Sequence, residues 1–356
     1  MIHESGYRGK TQVCGTGQGP VCKRGQDTRE KGARILFADS GFLFLGINMH
    51  LLKTWLILVL LTSFYFSCSS GYAEISVVDD AGCPISLDHP AQRIISLYGG
   101  MTEIVCAIGA CNQLVGVTKR DSWPVQVKNK PKIGTHMRPN LELILALSPE
   151  LVLQGSSRPG SQMVVQKLKE MGIKVAIFNP RNFPTLYSTI ERVAKLCGHE
   201  EEGRSLIEHM QGQLESAKKR YPLKKRPSII FEVSYPSLLF AGQKNIVNDI
   251  IRKAGAENIV KKDKKFVRFS LEQIIVDDPD VYVVQKGPMN RTNVSPQKRP
   301  NFDAIRAVRA GHILVVDEFL FSRPGPRSVK AVEQLRGYLY SLYGRDRTNE
   351  RQMGGR

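Results

Sequence analysis

The sequence lacks a CxxC motif after residue 73 and carries none of the short motifs that mark common enzymes. Seven cysteines occur in 356 residues, and four of them follow residue 73 in no CxxC arrangement: Cys83, Cys106, Cys111 and Cys197. One disulfide is expected among these four in an oxidising compartment, but the spacing leaves its pairing open. No GxSxG, P-loop or paired Cys/His signature is present, which argues against an enzyme and predicts no resident cofactor.

The histidines are scattered along the sequence, which bears on metal binding. A site for a bare transition metal needs imidazole and carboxylate ligands at fixed positions. The histidines after residue 73 form no HxH, no HExxH and no His-rich loop: His89, His136, His199, His209 and His312. Binding of a bare metal ion is therefore disfavoured.

The apolar run near the N-terminus is too short for an ordinary membrane span. It covers about 13 residues from Thr54 to Phe66, whereas a span needs about 20. Lys53 before it and small residues up to Ala73 after it complete a secretory signal peptide at 49–73, with an uncleaved signal anchor as the alternative. We therefore expect export to the periplasm.

Two further expectations depend on this signal. Since a signal peptide does not normally begin fifty residues into a chain, we expect translation to start at Met49 and residues 1–48 to be an over-extended N-terminus. Cys68 is a candidate for lipidation and membrane anchoring, although Tyr65 and Phe66 are bulky where a lipobox usually has Leu and a small residue.

Basic residues outnumber acidic ones, and the net charge is +18. Such a charge suits an anionic ligand or anionic lipid head groups, and scattered solvated lysines explain it equally well. Because the chain carries an export signal, nucleic acid is not expected as a partner.

After Glu74 the sequence alternates between short β-rich runs and helical patterns. Strands are predicted around 93–98, 114–118, 150–154, 173–178, 227–233, 280–284 and 312–316. Helices are predicted around 99–110, 140–148, 161–172, 245–256, 270–275 and 326–344. This alternation indicates an α/β fold of two Rossmann-like lobes with mainly parallel sheets.

One long polar helix lies in the middle of this pattern. Three glutamates at 200–202 open it and three basic residues at 218–220 close it, an order that complements the helix macrodipole. A narrow apolar stripe follows its length: Leu206, Ile207, Met210, Leu214 and Ala217. About 20 residues span roughly 30 Å, so we interpret it as a stiff connection between the lobes. The expected domains are an N-terminal lobe at 74–198, the helix at 199–221, a C-terminal lobe at 222–344 and a basic tail at 345–356.

Several longer stretches occur in an order shared with one known family, among them DDAGCPISLDHPAQRIISL, NLELILALSPELVL, NDIIRKAGAENIV and RPGPRSVKAVEQL. From about Val77 to Tyr343 the chain resembles the periplasmic Fe/B12-type substrate-binding proteins of ABC importers, in which one long helix joins two lobes. The resemblance implies a monomer that holds a ligand in a shallow cleft between the lobes. It also implies delivery of that ligand to a permease dimer with ATPase subunits.

A ligand at the carboxyl ends of the parallel strands would meet the loops that follow them. Aromatic side chains in these loops offer flat apolar surface for a large ring, with core packing as the competing interpretation: Tyr98, Trp123, Tyr235, Phe266 and Phe319. Three arginines could pair with carboxylate or phosphate groups: Arg158, Arg268 and Arg323. The resemblance implies that the loop of Arg323 faces the cleft.

Glu142 and Glu272 match two glutamates that, in this family, dock onto arginines of the permease, one from each lobe. A glutamate near a helix start is also favoured by the helix macrodipole. The similar placement of the two residues in the two halves favours the docking interpretation.

The expected ligand is a large metal-containing molecule that is carried as cargo. A corrinoid is favoured, because aromatic side chains such as Trp123 suit the face of a corrin ring. A ferric siderophore or haem is the alternative, since positive charge suits an anionic siderophore as well as a corrinoid phosphate. A bare transition metal is the third possibility.

Overall fold

The computed structural model describes Thr54 and residues 74–155 and 159–344. The expected start at Met49, the signal peptide apart from Thr54, Cys68, Arg158 and the basic tail lie outside the residues described. From Glu74 onward the described residues form one compact unit. Among the described residues, no helix combines the length and the apolarity needed to cross a bilayer.

The predicted strands and helices are all present. The strands are β1 (Ile75–Val78), β2 (Pro84–Leu87), β3 (Ile94–Ser96), β4 (Leu114–Val117), β5 (Gly134–Thr135), β6 (Arg138–Pro139), β7 (Leu151–Gln154), β8 (Lys174–Ile177), β9 (Ser228–Ser234), β10 (Leu239–Ala241), β11 (Glu257–Asn258), β12 (Phe266–Arg268), β13 (Val281–Lys286) and β14 (Ile313–Asp317). The α-helices are α1 (Gly99–Ala107), α2 (Leu141–Ala146), α3 (Pro159–Glu170), α4 (Phe183–Cys197), α5 (Glu200–Arg220), α6 (Ile246–Lys253), α7 (Leu271–Asp277), α8 (Arg306–Arg309), α9 (Glu318–Phe321) and α10 (Ser328–Tyr343).

The first lobe is built on a parallel four-stranded sheet in the order β4-β3-β7-β8. Strands β3 and β7 are buried throughout, which suits a parallel sheet covered on both faces. Because successive side chains point to opposite faces, Ile94 and Ile95 belong to two different core clusters. The sheet therefore holds a hydrophobic core on each side.

The second lobe holds a six-stranded mixed sheet in the order β12-β10-β9-β13-β14, with β11 beside β9. Strands β9, β13 and β14 run parallel, as predicted, and β11, which was not predicted, is also parallel to β9. Strands β10 and β12 are antiparallel to their neighbours. This antiparallel edge has two strands of three residues each, too short to give a periodic pattern in the sequence.

Two consecutive helices lie in the middle of the chain, and the second is the long helix predicted at 199–221. Helix α4 begins with a capping box between Asn182 and Thr185 and ends at Gly198, which has a φ of 72°. Helix α5 then runs from Glu200 to Arg220 and packs against both α4 and α10. Three residues of the predicted apolar stripe are buried and two are half-buried, so this stripe faces the core as expected. Helix α5 thus connects the lobes and packs on helices of both.

Candidate functional site

The carboxyl ends of the parallel strands line a cavity of about 280 Å³, which we call the cleft cavity. Its first-lobe wall includes Tyr98, Thr118, Arg120, His136, Met137 and Gln154. Its second-lobe wall includes Lys265, Phe266, Met289, Glu318, Phe319 and Arg323. Both lobes therefore contribute aromatic rings and cations to one surface, at the edge where α/β sheets bind ligands.

Four of the residues singled out in the sequence meet in the cleft cavity: Tyr98, Phe266, Phe319 and Arg323. Tyr98 follows β3, and its ring lies against the backbone of Gly155. A Cβ atom at Gly155 would come within 2.6 Å of that ring, so only glycine leaves room for the ring there. The guanidinium of Arg323 lies 4.5 Å from the centre of the Phe319 ring, which is a cation–π contact.

Arg323 also lies near two buried carboxylates of the first lobe. Its Nη1 is 3.6 Å from Glu103 Oε1 and 3.8 Å from Asp121 Oδ1. Asp121 Oδ1 is buried and has no hydrogen-bond partner within the described residues. Arg327 donates two hydrogen bonds to Glu103, of 2.9 and 2.6 Å. These contacts hold Arg323 at the cavity wall and link the two lobes there.

Trp123 lies outside the cleft cavity. Its side chain is 48% exposed and borders a smaller cavity of about 190 Å³ beside Cys106, Cys111 and Arg327. The Arg327 guanidinium lies 5.4 Å from the centre of its ring. Trp123 therefore contacts Arg327, the arginine that pairs with Glu103.

Tyr235 and Arg268 do not line the cleft cavity either. Tyr235 packs edge-on against Phe302, and the Arg299 guanidinium stacks 3.8 Å from the centre of its ring. Its surroundings are those of a packing residue. Arg268 is exposed on β12, two residues beyond Phe266, and two residues advance a strand by about 7 Å. Arg158 lies outside the described residues.

Five further residues line the cleft cavity and are not among the ligand contacts predicted from the sequence: Arg120, His136, Met137, Lys265 and Glu318. In the local sequence, nothing distinguishes such charged, histidine and methionine side chains from those of solvated or packed residues. Glu318 accepts a hydrogen bond of 2.7 Å from the backbone N–H of Met289. Burial raises the pKa of Glu318 above its ordinary value, although Arg120 and Arg323 act in the opposite direction.

Glu142 and Glu272 occupy equivalent places at the starts of α2 and α7. Each is exposed and follows an N-cap residue whose side chain accepts a backbone N–H, Asn140 in one lobe and Ser270 in the other. Hydrogen bonding to a backbone N–H and to Ser270 lowers the pKa of Glu272. Both glutamates are therefore exposed carboxylates on similar short helices, one in each lobe.

The cysteine pairing that the sequence left open is also visible. Cys106 and Cys111 form a disulfide between the end of α1 and the turn that follows it. Among the residues described, no group of three or more His, Cys, Asp or Glu is arranged to hold a metal ion.

Comparison with known proteins gives the class. The family described as "Periplasmic binding protein" matches residues 94–320, so the chain belongs to that family, and the resemblance found in the sequence is confirmed. An uncharacterized ABC transporter substrate-binding lipoprotein of Bacillus subtilis, YvrC, is 29% identical over 75% of this chain and 85% of its own. The vitamin B12-binding protein of Vibrio campbellii is 25% identical over 69% and 88%. The solved periplasmic heme-binding protein RhuT from Roseiflexus sp. RS-1 superposes with a TM-score of 0.63 at 25% identity, covering 70% of this chain and 98% of the other.

Proposed function

We propose that this protein is the substrate-binding component of an ABC importer and captures a corrinoid in the cleft cavity. The observation that carries the proposal is the cavity itself, where aromatic rings and cations of both lobes meet at the strand ends. Capture needs such a surface and no chemical step, so we assign no catalytic residue. The similarity to a vitamin B12-binding protein supports this choice of ligand.

The size and lining of the cavity fit one face of a large ring. Its volume of about 280 Å³ is just below the roughly 300–1,000 Å³ of pockets that enclose drug-sized ligands. A corrinoid would therefore lay one face against Tyr98, Phe266 and Phe319 and leave the rest towards solvent. Arg120, Lys265 and Arg323 would attract the phosphate of such a ligand.

Haem or a ferric siderophore is the second candidate, and one observation favours haem. His136 and Tyr98 lie together on the first-lobe wall with ring centres 6.3 Å apart. Imidazole and phenol oxygen are both axial ligands of haem iron in proteins. The structural similarity to a heme-binding protein supports this alternative.

Delivery and location complete the proposal. Glu142 and Glu272 would each meet a cationic site on a permease dimer that works with ATPase subunits, and the protein would act as a monomer. We propose export by the signal at 49–73, with anchoring through lipidated Cys68 as the alternative to a free periplasmic protein. The lipoprotein description of the Bacillus relative supports an exported location.

Calorimetric titration of residues 74–356 with cyanocobalamin, haemin and ferric siderophores tests the proposal. We expect saturable binding of at least one of these ligands, and the tightest binding for cyanocobalamin. Arg323→Ala should weaken that binding by about tenfold, because a charge-assisted contact is lost. The matched control Arg268→Ala removes an arginine outside the cavity and should change affinity by less than about twofold.

Two other results would redirect or refute the assignment. Tighter binding of haemin that is lost in His136→Ala would favour the second candidate. Absence of saturable binding for every ligand in the set, with the protein folded by circular dichroism, would refute the proposed function.

A further inference from the structure

A second cavity lies away from the strand ends, among four helices. Its volume is about 500 Å³, and it shares no lining residue with the cleft cavity. Its walls come from α4, α5, α6 and α10, so it includes part of the helix that connects the lobes. We call it the helix cavity, and its charged or hydroxyl-bearing lining residues are Tyr187, Glu215, Lys218, Arg252, Lys253 and Arg336.

The charges around the helix cavity do not balance. Four cations and one carboxylate line it. Lys218, Arg252 and Lys253 lie in the last turns of α5 and α6, where each helix end contributes roughly half a negative charge. Glu215 and the two helix ends together offset about two of the four positive charges. Asp249, close enough to affect the pKa of Tyr187, offsets a third, so an excess of about one positive charge remains.

Arg336 is the buried member of this set, being only 7% exposed. It donates one hydrogen bond to the carbonyl of Ala254 and one to the carbonyl of Lys218, of 3.2 and 3.3 Å. Its Nε is buried without a hydrogen-bond partner among the residues described. Gly255 has a φ of 87°, and a Cβ atom there would lie 2.8 Å from Arg336 Nη1, so glycine keeps the guanidinium in place. The structure thus buries a cation against this cavity, and no carboxylate of the described residues is bonded to it.

The other lining groups can also donate to an anion. Arg252 and Lys253 are exposed, and the structure shows no ion pair for either within the described residues. Burial raises the pKa of Tyr187 to about 12, so its hydroxyl stays protonated and can donate. Lys218 lies 3.9 Å from Glu215 at an exposed position, a weak pairing that a stronger anion could replace.

We propose that the helix cavity is a second binding site, for a small phosphate-class anion held by Arg252, Lys253 and Lys218 against Arg336. A phosphate group carries up to two negative charges and several acceptor oxygens, which suits clustered Arg and Lys donors. The group could come from free phosphate or from the head group of an anionic lipid. The test uses no cleft ligand, so its outcome is independent of the proposed function.

Residues 74–356 are titrated with inorganic phosphate and with pyrophosphate, and binding is followed by ³¹P line broadening. Sodium chloride at about 0.15 M screens general attraction beyond about 8 Å. Sedimentation with phosphatidylcholine vesicles, with and without phosphatidylglycerol, tests the lipid source. The variant is Arg252→Ala with Lys253→Ala, which leaves Arg336 and its two helix contacts intact.

The matched control is Lys167→Ala with Lys195→Ala, which also removes two exposed cations from the last turns of helices, α3 and α4. We expect saturable phosphate or phosphatidylglycerol binding that the cavity variant weakens by at least about tenfold and the control changes by less than about twofold. Response to phosphate identifies a free anion as the source, and response to phosphatidylglycerol alone identifies a lipid. No saturable binding of either, or equal loss in the two variants, would overturn the proposal.

Discussion

Glu232 and Arg299 form an ion pair in which neither side chain is exposed to solvent. Arg299 donates to both carboxylate oxygens of Glu232, at 2.5 and 3.0 Å. Tyr282 and Asn290 donate two further hydrogen bonds to the same carboxylate. Both oxygens of Glu232 are therefore satisfied, and the pair joins β9, β13 and the loop after β13. Burying two charges is tolerated because each is matched by the other and by these donors.

Removing Arg299 should be strongly destabilising for this reason. Arg299→Met leaves the Glu232 carboxylate buried without its cation and should lower the free energy of unfolding by about 3–5 kcal/mol. Urea denaturation measures the change. Arg291 is exposed, and Arg291→Met should change stability by less than about 0.5 kcal/mol. A loss below about 1 kcal/mol in Arg299→Met would contradict this account of the buried pair.

Glu318 gives a pH-dependent prediction. Its pKa is raised from the ordinary 4.5, so the folded state binds the proton more tightly than the unfolded state. The stability that this group contributes is present below pH 4.5 and is lost as pH rises through the raised value. Glu318→Gln removes this titration but keeps an oxygen that can accept from Met289. The stability of the variant relative to the parent should therefore increase between pH 4.5 and pH 7.5, as measured by urea denaturation at both. A constant difference would show that Glu318 does not titrate in this way.

At the scale of elements, the break between α4 and α5 determines where the connecting helix begins. Gly198 adopts a left-handed conformation there, and a Cβ atom would lie 2.8 Å from two ring atoms of Pro90. Gly212 lies within α5 with no atom near its Cβ position. The two glycines thus differ in backbone conformation and in the room that each leaves for a Cβ atom.

Alanine substitution at these two glycines should change the free energy of unfolding in opposite directions. Gly198→Ala should lower the free energy of unfolding by more than about 1 kcal/mol, since it adds backbone strain and a clash. Gly212→Ala should raise it by about 0.5–1 kcal/mol, since alanine is the better helix former. Thermal and urea denaturation of both variants provide the comparison. Equal effects at the two positions would refute the role given to Gly198.

Much of the element pattern could be predicted from the sequence, because apolar periodicity and capping residues act over short distances. The strands that became β3, β7, β9 and β13 are nearly continuous apolar runs, and such runs are typical of buried parallel strands. Contacts between residues that are far apart in the sequence could not be predicted. Glu103 and Arg327 are separated by 224 positions, and no local pattern pairs them. The same limit explains Trp123, which lies beside Arg327 and outside the cleft cavity.

At the scale of the whole molecule, the proposed function places ligand capture and permease docking on different surfaces. The cleft cavity lies at the strand ends of both lobes, whereas Glu142 and Glu272 are exposed in the first turns of α2 and α7 and do not line it. Arg323 of the cavity lies near two carboxylates of the other lobe, Glu103 and Asp121. Capture and delivery should therefore respond to different substitutions.

Charge reversal at the two glutamates tests this separation. Glu142→Lys or Glu272→Lys should leave ligand affinity within about twofold of the parent but reduce uptake, because like charges at an interface can cost several kcal/mol. Reversing both should reduce uptake further, since one intact lobe could still hold the complex. Glu208→Lys, at an exposed site on α5, is the matched control and should affect neither property.

Arg323→Ala should instead weaken ligand binding while the empty protein still docks. Ligand titration beside permease-stimulated ATPase activity measures both properties. If the glutamate variants lost ligand binding in proportion to uptake, these residues would belong to the cleft or to the fold, and the docking assignment would be wrong.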